Sequence, residues 1–545
     1  MKRRKFIQLT ATASAISLIP SEVFALLKSV GISECPDLNA KKIVLIQLAG
    51  ANDGINTIVP LNQYDLYAQL RPNLKLNLNG ANGIIPLDTT LALENQIGLH
   101  PTLTGFKSLY DSGLMRIVQG VGYPNSNKSH FKSSDLWLSG GDGTPANFTS
   151  ETGWMGRFIE NYYADFLHES YPLGIQMGSG DNSLGFHGAV EHGLSININN
   201  QDMSGFYSVV NGLGGVPPTT IPNSEYGERI QFLTDLDASA NLYSNGISNA
   251  FNSGTNANNY PDTDVANQLK TIARFISGGL KTKFYLVRLG GFDTHEVQIP
   301  SNTTPHLGNH AVLLKQLSDG INAFITDLNQ QNKGNDVLAV TFSEFGRKAA
   351  ENGSLGTDHG EVAPMFVFGN SVNPGISGTN VNLSEAIEAN NYQVQTVQHD
   401  YRRVFSTILQ DWLGAENAFL DLTFYDNTTQ TGFTDFKFSE LIKEQNKVAP
   451  ACYKSILPPI PGKTNLELVI YPNPTSDYIY ISGSQDCDVY TVMIHTAEGK
   501  YIDTIRNPIL SSDFNFNVQN LAVGIYHLKI QTKKGVYLKK MMIHR

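Results

Sequence analysis

Cysteine is scarce in this chain of 545 residues. Cys35, Cys452 and Cys487 are the only three, and none falls between Pro36 and Ala451. That gap excludes thiol catalysis and Cys-ligated zinc from the whole central region. Cys452 and Cys487 either pair outside the cell or stay as loose thiols. Charge is scarce too: Asp, Glu, Lys and Arg make up 16% of residues, with a net charge of −10. Without a basic stripe or interleaved aromatics, nonspecific nucleic-acid binding is excluded, because it needs cations to neutralise phosphates. Long apolar runs are missing as well. Beyond the first 25 residues no stretch reaches the roughly 18 apolar residues of a membrane span. Apolar content of 41% still suits an ordered protein, and the length gives ample material for a large core and more than one domain.

Residues 1–25, "MKRRKFIQLTATASAISLIPSEVFA", read as an export signal. Lys2 to Lys5 form the positive end, Phe6 to Pro20 the apolar stretch, and Val23-Phe24-Ala25 a small-residue cleavage site. Arg3-Arg4 resembles a twin-arginine signal, with a plain secretory signal as the alternative. The expected location is outside the inner membrane: the periplasm in transit, then the cell surface or the medium.

The chain changes character near its end. "SILPPIPGKTN", Ser455 to Asn465, has too much proline for regular structure and marks a linker over 451–465. After it, "DYIYISG", "YTVMIHTAEGKYI" and "GIYHLKIQTKKGVYLKKMMI" alternate with period two, with turns at Glu498-Gly499 and Lys534-Gly535. They predict a small β-sandwich over 466–545. Before the linker, over 36–450, continuous apolar strands ("IVLIQLAG", "LMRIVQGVG", "FYLVRLGG", "VLAVTFSEFG", "MFVFG") are interleaved with helical patterns. Leu313, Leu317, Ile321, Phe324 and Leu328 share one helix face, and "YRRVFSTILQDWLG" reads as an amphipathic helix closed by Gly414. Asn211 to Pro222 reads as a loop. This pattern predicts an α/β fold, a doubly wound mostly parallel sheet covered on both faces.

In such sheets, ligands sit at the carboxyl ends of the strands, and that is where acids and histidines collect. The strand exits lead to Asp53, to Asp293 and His295, and to Glu344, with Asp358-His359 a little further on. Each has a plain reading as a turn or a helix cap. Together, carboxylates and imidazoles from separate strand ends form a ligand set for one or two divalent ions, with Zn, Mn, Ca and Mg all open. Arg347, on the same exit as Glu344, either contacts a bound anion or pairs with a neighbouring carboxylate.

The ordered segments "QLAGANDGINTIVPL", "LHPTL", "GVGYPNSNKSHF", "GGFDTH", "TFSEFGRKAAENGSLGTDHG" and "YRRVFSTILQDWLG" resemble the exported family called domain of unknown function 1501, over roughly Lys41 to Gly414. That family is grouped with the alkaline phosphatase and sulfatase superfamily. The resemblance implies an alkaline phosphatase-like fold, with Asp53, Asp293, His295, Asp358 and His359 at metal-binding positions and Glu344 and His399 as further candidates. It also implies a hydroxyl nucleophile: Ser126 in "NSNKSH", or Ser129 beside His130. The C/S-x-P-x-R segment of standard sulfatases is missing from the sequence. The expected function is an exported metal-dependent hydrolase of phosphate or related esters, acting on a small molecule or a surface polymer. The alternative is a non-catalytic surface binding protein that keeps the fold, so enzyme status is left open. A usable nucleophile separates the two.

"YPNPTSDYIYISG" with "LAVGIYHLKI" and "LKKMMI" resembles the C-terminal sorting domain of the type IX secretion system, which implies that secretion machinery as a partner. Deleting residues 466–545 is expected to leave the central domain folded, because the linker separates two cores. The truncated protein is then expected in periplasmic fractions; surface labelling at the full-length level contradicts the sorting role.

Overall fold

The computed structural model describes residues 40–124, 126–143, 152–163, 171–178, 183–188, 192–196, 243, 245–424, 440–448, 469–471, 473, 475–482, 489–496, 501–506, 513–532 and 535–544. The export signal, the 211–222 loop, the proline-rich linker, Glu498-Gly499, Lys534 and all three cysteines lie outside them.

Among the described residues, the apolar runs of the central region build one nine-stranded sheet. Its strands in chain order are β1 (Lys42–Leu48), β2 (Met115–Gly122), β3 (Gly174–Met177), β4 (Gly193–Ile196), β5 (Phe284–Leu289), β6 (Val337–Phe342), β7 (Ala363–Phe368), β8 (Gly375–Ser377) and β9 (His399–Asp400). They are arranged β8-β2-β7-β6-β1-β5-β3-β4, with β9 also on β2. β1 is wholly buried and central, parallel to both β5 and β6. Such burial on both faces is why its sequence is continuously apolar instead of alternating.

Helices cover both faces. Helices α1 (Thr104–Asp111), α4 (Asp264–Ser277) and α5 (Asn309–Gln330) put Phe106, Leu269, Leu317 and Phe324 against Val44, Ile46 and Val287. The opposite face carries α2 (His130–Ser139), α3 (Trp154–Tyr162) and α6 (Tyr401–Thr407) through stacked aromatics. Trp137 lies 5.3 Å from Phe342 and 4.2 Å from Tyr401, and Trp154 lies 5.0 Å from Phe405. The segment expected as one amphipathic helix is buried except at Arg403; after α6 it continues as a π-turn over Ile408–Trp412 and stops at Gly414, with φ +77°.

One strand breaks the parallel rule. β7 runs antiparallel to both β2 and β6. A parallel return takes a crossover of a dozen or more residues, usually a helix. Residues 343–362 form no helix; they hold a non-helical excursion that stays at one edge of the sheet. The entrance of β7 therefore lies beside the exits of β6, β1 and β5, which is how an Asp-His pair in front of a strand reaches the edge where other strands end.

The tail forms two antiparallel sheets. Strands β10 (Val469–Tyr471), β11 (Tyr478–Ser482) and β14 (Asp513–Asn517) make one; β12 (Val489–Thr496), β13 (Tyr501–Arg506), β15 (Gly524–Thr532) and β16 (Gly535–Ile543) make the other. Ile479, Ile481 and Phe516 of the first share one core with Val492, Leu528 and Met541 of the second, so the pair is a sandwich. Tyr478 and Tyr480 point outward between those isoleucines, the period-two signature seen in the sequence.

Asp53 anchors the first turn after β1. It accepts from Asn56 N at 3.3 Å, from Gln298 Nε2 at 2.7 Å and from Arg71 Nη1 at 2.6 Å, with both charged side chains fully buried. Burial alone would raise its pKa from 3.8, but Arg71, His310 and Gln298 outweigh burial and hold it at about 2. Because the folded pKa is depressed, the stabilisation is present above about pH 4 and is lost as pH falls toward 2. Replacing Arg71 by Met leaves a buried, unpaired carboxylate and is expected to cost about 3–5 kcal/mol at pH 7 in urea denaturation. That deficit should narrow in acid as Asp53 protonates. A deficit below about 1 kcal/mol at neutral pH contradicts this role.

Candidate metal centre

The exit of β1 turns so tightly over the exit of β5 that only glycine fits at position 50. Gly50 has φ +115°, and a Cβ there would lie 2.4 Å from Asp293 N. A Cβ on Gly356 would lie 2.3 Å from the carbonyl of His295, so the approach to β7 is packed directly on the β5 exit. These close contacts bring the polar residues of three loops together.

Three imidazoles meet one carboxylate there. His130 is the first residue of α2, Asp293 and His295 follow β5, and His359 precedes β7. His359 Nε2 lies 2.9 Å from His130 Nε2 and 2.8 Å from His295 Nε2. Asp293 Oδ1 lies 3.3 Å from His130 Nε2, 3.2 Å from His295 Nε2 and 3.5 Å from His359 Nε2. The ligand atoms of His130, Asp293 and His359 all fall within 4.8 Å of one another. A tetrahedral zinc with bonds of about 2.0–2.1 Å has ligand–ligand edges of about 3.3–3.4 Å, so the residues present fit such an ion.

The partners of the other ring nitrogens fix the direction of the lone pairs. His130 Nδ1 is 2.8 Å from Glu344 Oε1, His295 Nδ1 is 3.2 Å from Asp358 Oδ1, and His359 Nδ1 is 2.8 Å from the carbonyl of Lys128. All three partners are acceptors, so each Nδ1 carries a hydrogen and donates it. In the neutral rings the Nε2 lone pairs are then left facing a common region. Lone pairs and a carboxylate gathered this closely repel unless a cation lies among them. Glu344, chiefly by its hydrogen bond, raises the pKa of His130. Burial, followed by Arg347 and His130, lowers that of His359. One proton on His130 relieves only part of the repulsion.

Asp293 is held as an anion. Burial would raise its pKa, but the Arg347 guanidinium at 2.7 Å, together with His130 and His295, holds it at about 2 although its side chain is half exposed. Arg347 itself is fully buried. It donates to the carbonyls of Gly50, Ala51, Phe292 and Thr357 as well as to Asp293. Its fork is therefore occupied in positioning Asp293 and does not point at an anion in the cavity.

The remaining sequence candidates take other places. Glu344 and Asp358 stand behind His130 and His295, as acceptors of their Nδ1 hydrogens. Glu344 also accepts from Gly50 N at 2.8 Å, and Asp358 from Asn352 and Lys348. Asp53 is brought to the Arg71 pair instead of the cluster, although Gln298 connects it to the neighbouring loops: Gln298 Oε1 accepts from Thr294 Oγ1 at 3.0 Å and Thr357 Oγ1 at 3.1 Å. His399 stands on β9 opposite Val121, close to Gly378. Burial lowers its pKa to about 4. Ser126 Oγ lies 3.4 Å from the Tyr123 hydroxyl, and Ser129 occupies the N-cap position of α2 next to His130.

Sequence reasoning did not name His130 among the candidate ligands and treated it only as the neighbour of Ser129. The available signal was the "LMRIVQGVG" strand, whose exit leads through "YPNSNKS" to His130.

A cavity of about 480 Å³ opens beside the cluster, between α2 and the face of the sheet carrying Gln47 and Arg288. His130, Asp293 and Glu344 form part of its wall.

Residues 226–411 match the DUF1501 family of proteins of unknown function. The DUF1501 match takes in β5, β6, β7 and the loops with Asp293, His295, Glu344 and His359, while His130 lies ahead of it. Residues 469–544 match the secretion system C-terminal sorting domain, which implies type IX secretion and delivery to the cell surface or beyond. No helix among the described residues is long and apolar enough to cross a membrane. No curated protein matches the chain. Similar solved structures include the lipoteichoic acid synthase LtaP from Listeria monocytogenes, at 12% identity over 63% of this chain and 69% of that one, with a TM-score of 0.26. A protein in the alkaline phosphatase superfamily from Vibrio parahaemolyticus is 11% identical over 62% of each chain, with a TM-score of 0.30. The PsFucS1 sulfatase from Pseudoalteromonas sp. is 10% identical over 94% of this chain and 86% of that one, with a TM-score of 0.33. Likenesses this distant carry no argument about activity.

Proposed function

We propose that this chain is an exported metal-dependent hydrolase of phosphate or related esters, with residues 36–450 as the catalytic region, 451–465 as linker and 466–545 as the sorting domain. The observation that carries the reading is the convergence of His130 Nε2, Asp293 Oδ1 and His359 Nε2 beside a cavity. Those three residues would hold one divalent ion, and His295 is the adjoining donor. When bound, such an ion supplies Lewis acidity toward a phosphoryl oxygen and makes a strong nucleophile available near neutral pH.

The other roles belong to the protein. Glu344 and Asp358 hold the protons on the outer nitrogens of His130 and His295, which orients both rings. Arg347 keeps Asp293 ionised and aimed. Ser129, next to His130, is the favoured hydroxyl, and Ser126 the second candidate.

A second reading is supported by His295. If its Nε2 joins the other three donors, four protein ligands close the site, as in structural metal centres. The chain is then a metal-stabilised surface binding protein.

Elemental analysis of protein never exposed to chelator should find about one divalent ion per chain, and 4-nitrophenyl phosphate or its diesters should be turned over in a chelator-sensitive way. Glu344→Gln should weaken metal affinity roughly 10–100-fold by freeing the His130 ring. Loss of turnover in Ser129→Ala with metal content unchanged assigns the nucleophile; retained turnover in both serine variants assigns attack to water. Bound metal with no turnover on any ester favours the binding protein, and absence of metal sinks both readings.

A further inference from the structure

The apolar strand β5, "FYLVRL", has one residue out of character. Arg288 is its only exposed position; the other five residues are buried. Parallel register places it opposite Gln47 of β1. Leu286, two residues earlier on the same face, is opposite Gln176 of β3. This face looks across the cavity to α2, whose Phe131, Ser134 and Asp135 complete the wall, with Phe131 88% exposed. Gln47 Nε2 is 3.3 Å from Ser134 Oγ, fixing the spacing between sheet and helix.

Two other charged groups on the cavity wall have protein partners. Asp293 is paired with Arg347, and Glu344 Oε1 with His130 and Gly50 N. Among the described residues no hydrogen bond or ion pair engages the Arg288 guanidinium; only its backbone carbonyl is used, by Gln268. A cation near the end of a core strand, lining a cavity and without a partner among the described residues, has a planar fork of donors available for an anion. Its neighbours are amides, a hydroxyl and a carboxylate, groups that exchange hydrogen bonds with hydroxyls, and an exposed aromatic ring that can cover an apolar ring face.

We propose that Arg288 recognises a second anionic group on the substrate, separate from the ester that is cleaved, and that the cavity takes a hydroxyl-rich ring bearing that group. The inference rests on the ester-hydrolase reading. It assigns to Arg288 the anion contact that burial denies to Arg347. The cavity volume falls within the roughly 300–1,000 Å³ usual for small-molecule sites.

Calorimetry on the zinc-loaded full chain, with three probes, tests it. Inorganic phosphate reports on the metal centre, glucose 1-phosphate adds a neutral ring, and glucuronic acid 1-phosphate adds a carboxylate to that ring. The glucuronic compound should bind roughly ten- to a hundredfold more tightly than the glucose compound. Arg288→Gln should remove that preference while leaving affinity for inorganic phosphate and glucose 1-phosphate within about twofold, and Arg288→Lys should keep part of it. Phosphate binding with equal affinity for the two sugars overturns the Arg288 assignment alone. So does a preference that survives Arg288→Gln. Failure of inorganic phosphate to bind overturns the ester-hydrolase reading, and this inference falls with it.

Discussion

One buried guanidinium holds the functional edge of this protein together. Arg347 leaves the end of β6 and donates to Gly50 and Ala51 at the β1 exit, to Phe292 and Asp293 at the β5 exit, and to Thr357 at the approach to β7. Three chain segments thus direct carbonyls at one cation carried by a fourth. The positions of Asp293, His295 and His359 follow from that arrangement. So does the tight glycine turn at Gly50, because a side chain there would push the β5 exit away. Buried charge of this kind adds little net stability when paired, but its loss leaves the partners unsatisfied, so its main effect is to define one geometry.

A second buried network supports the first from the other side. The Asp53–Arg71 pair grips Gln298, and Gln298 in turn holds the hydroxyls of Thr294 and Thr357, the residues immediately before His295 and Asp358. The side chains of the cluster are partly exposed, while Arg347, Glu344, Gln298 and Thr357 behind them are buried. That division suits a site that must admit a ligand without letting its donors drift, since tolerances at such sites are fractions of an ångström.

Much of this was legible in the sequence. Continuous apolar runs named β1, β2, β5, β6 and β7, since a strand buried on both faces has no reason to alternate. The tail was equally plain, because Tyr478-Ile479-Tyr480-Ile481 shows its inner and outer faces directly. Direction was not legible. Nothing in "MFVFG" reveals that it runs antiparallel, since reversal depends on residues 343–362 folding back without a helix. Sequence reasoning could list charged residues at strand ends, but it could not tell a ligand from the group behind it. Asp53, Glu344 and Arg347 look as functional as Asp293 and His359 until burial and partners are known. His130 was hidden by distance along the chain: it stands at a helix start, with "YPNSNKS" between it and the end of β2, so that strand exit marks it less directly than the others mark their residues. Arg288 was hidden inside an apolar strand, where register alone shows which cavity it faces.

The central claim is that imidazoles and a carboxylate from three separate loops bind one metal ion at this edge. X-ray absorption spectroscopy on the zinc-loaded protein tests it most directly. The expected spectrum has at least two imidazole nitrogens and carboxylate oxygen at about 2.0–2.1 Å, no sulfur, and one imidazole fewer in His130→Ala. An oxygen-only shell, or an imidazole count that His130→Ala leaves unchanged, contradicts it.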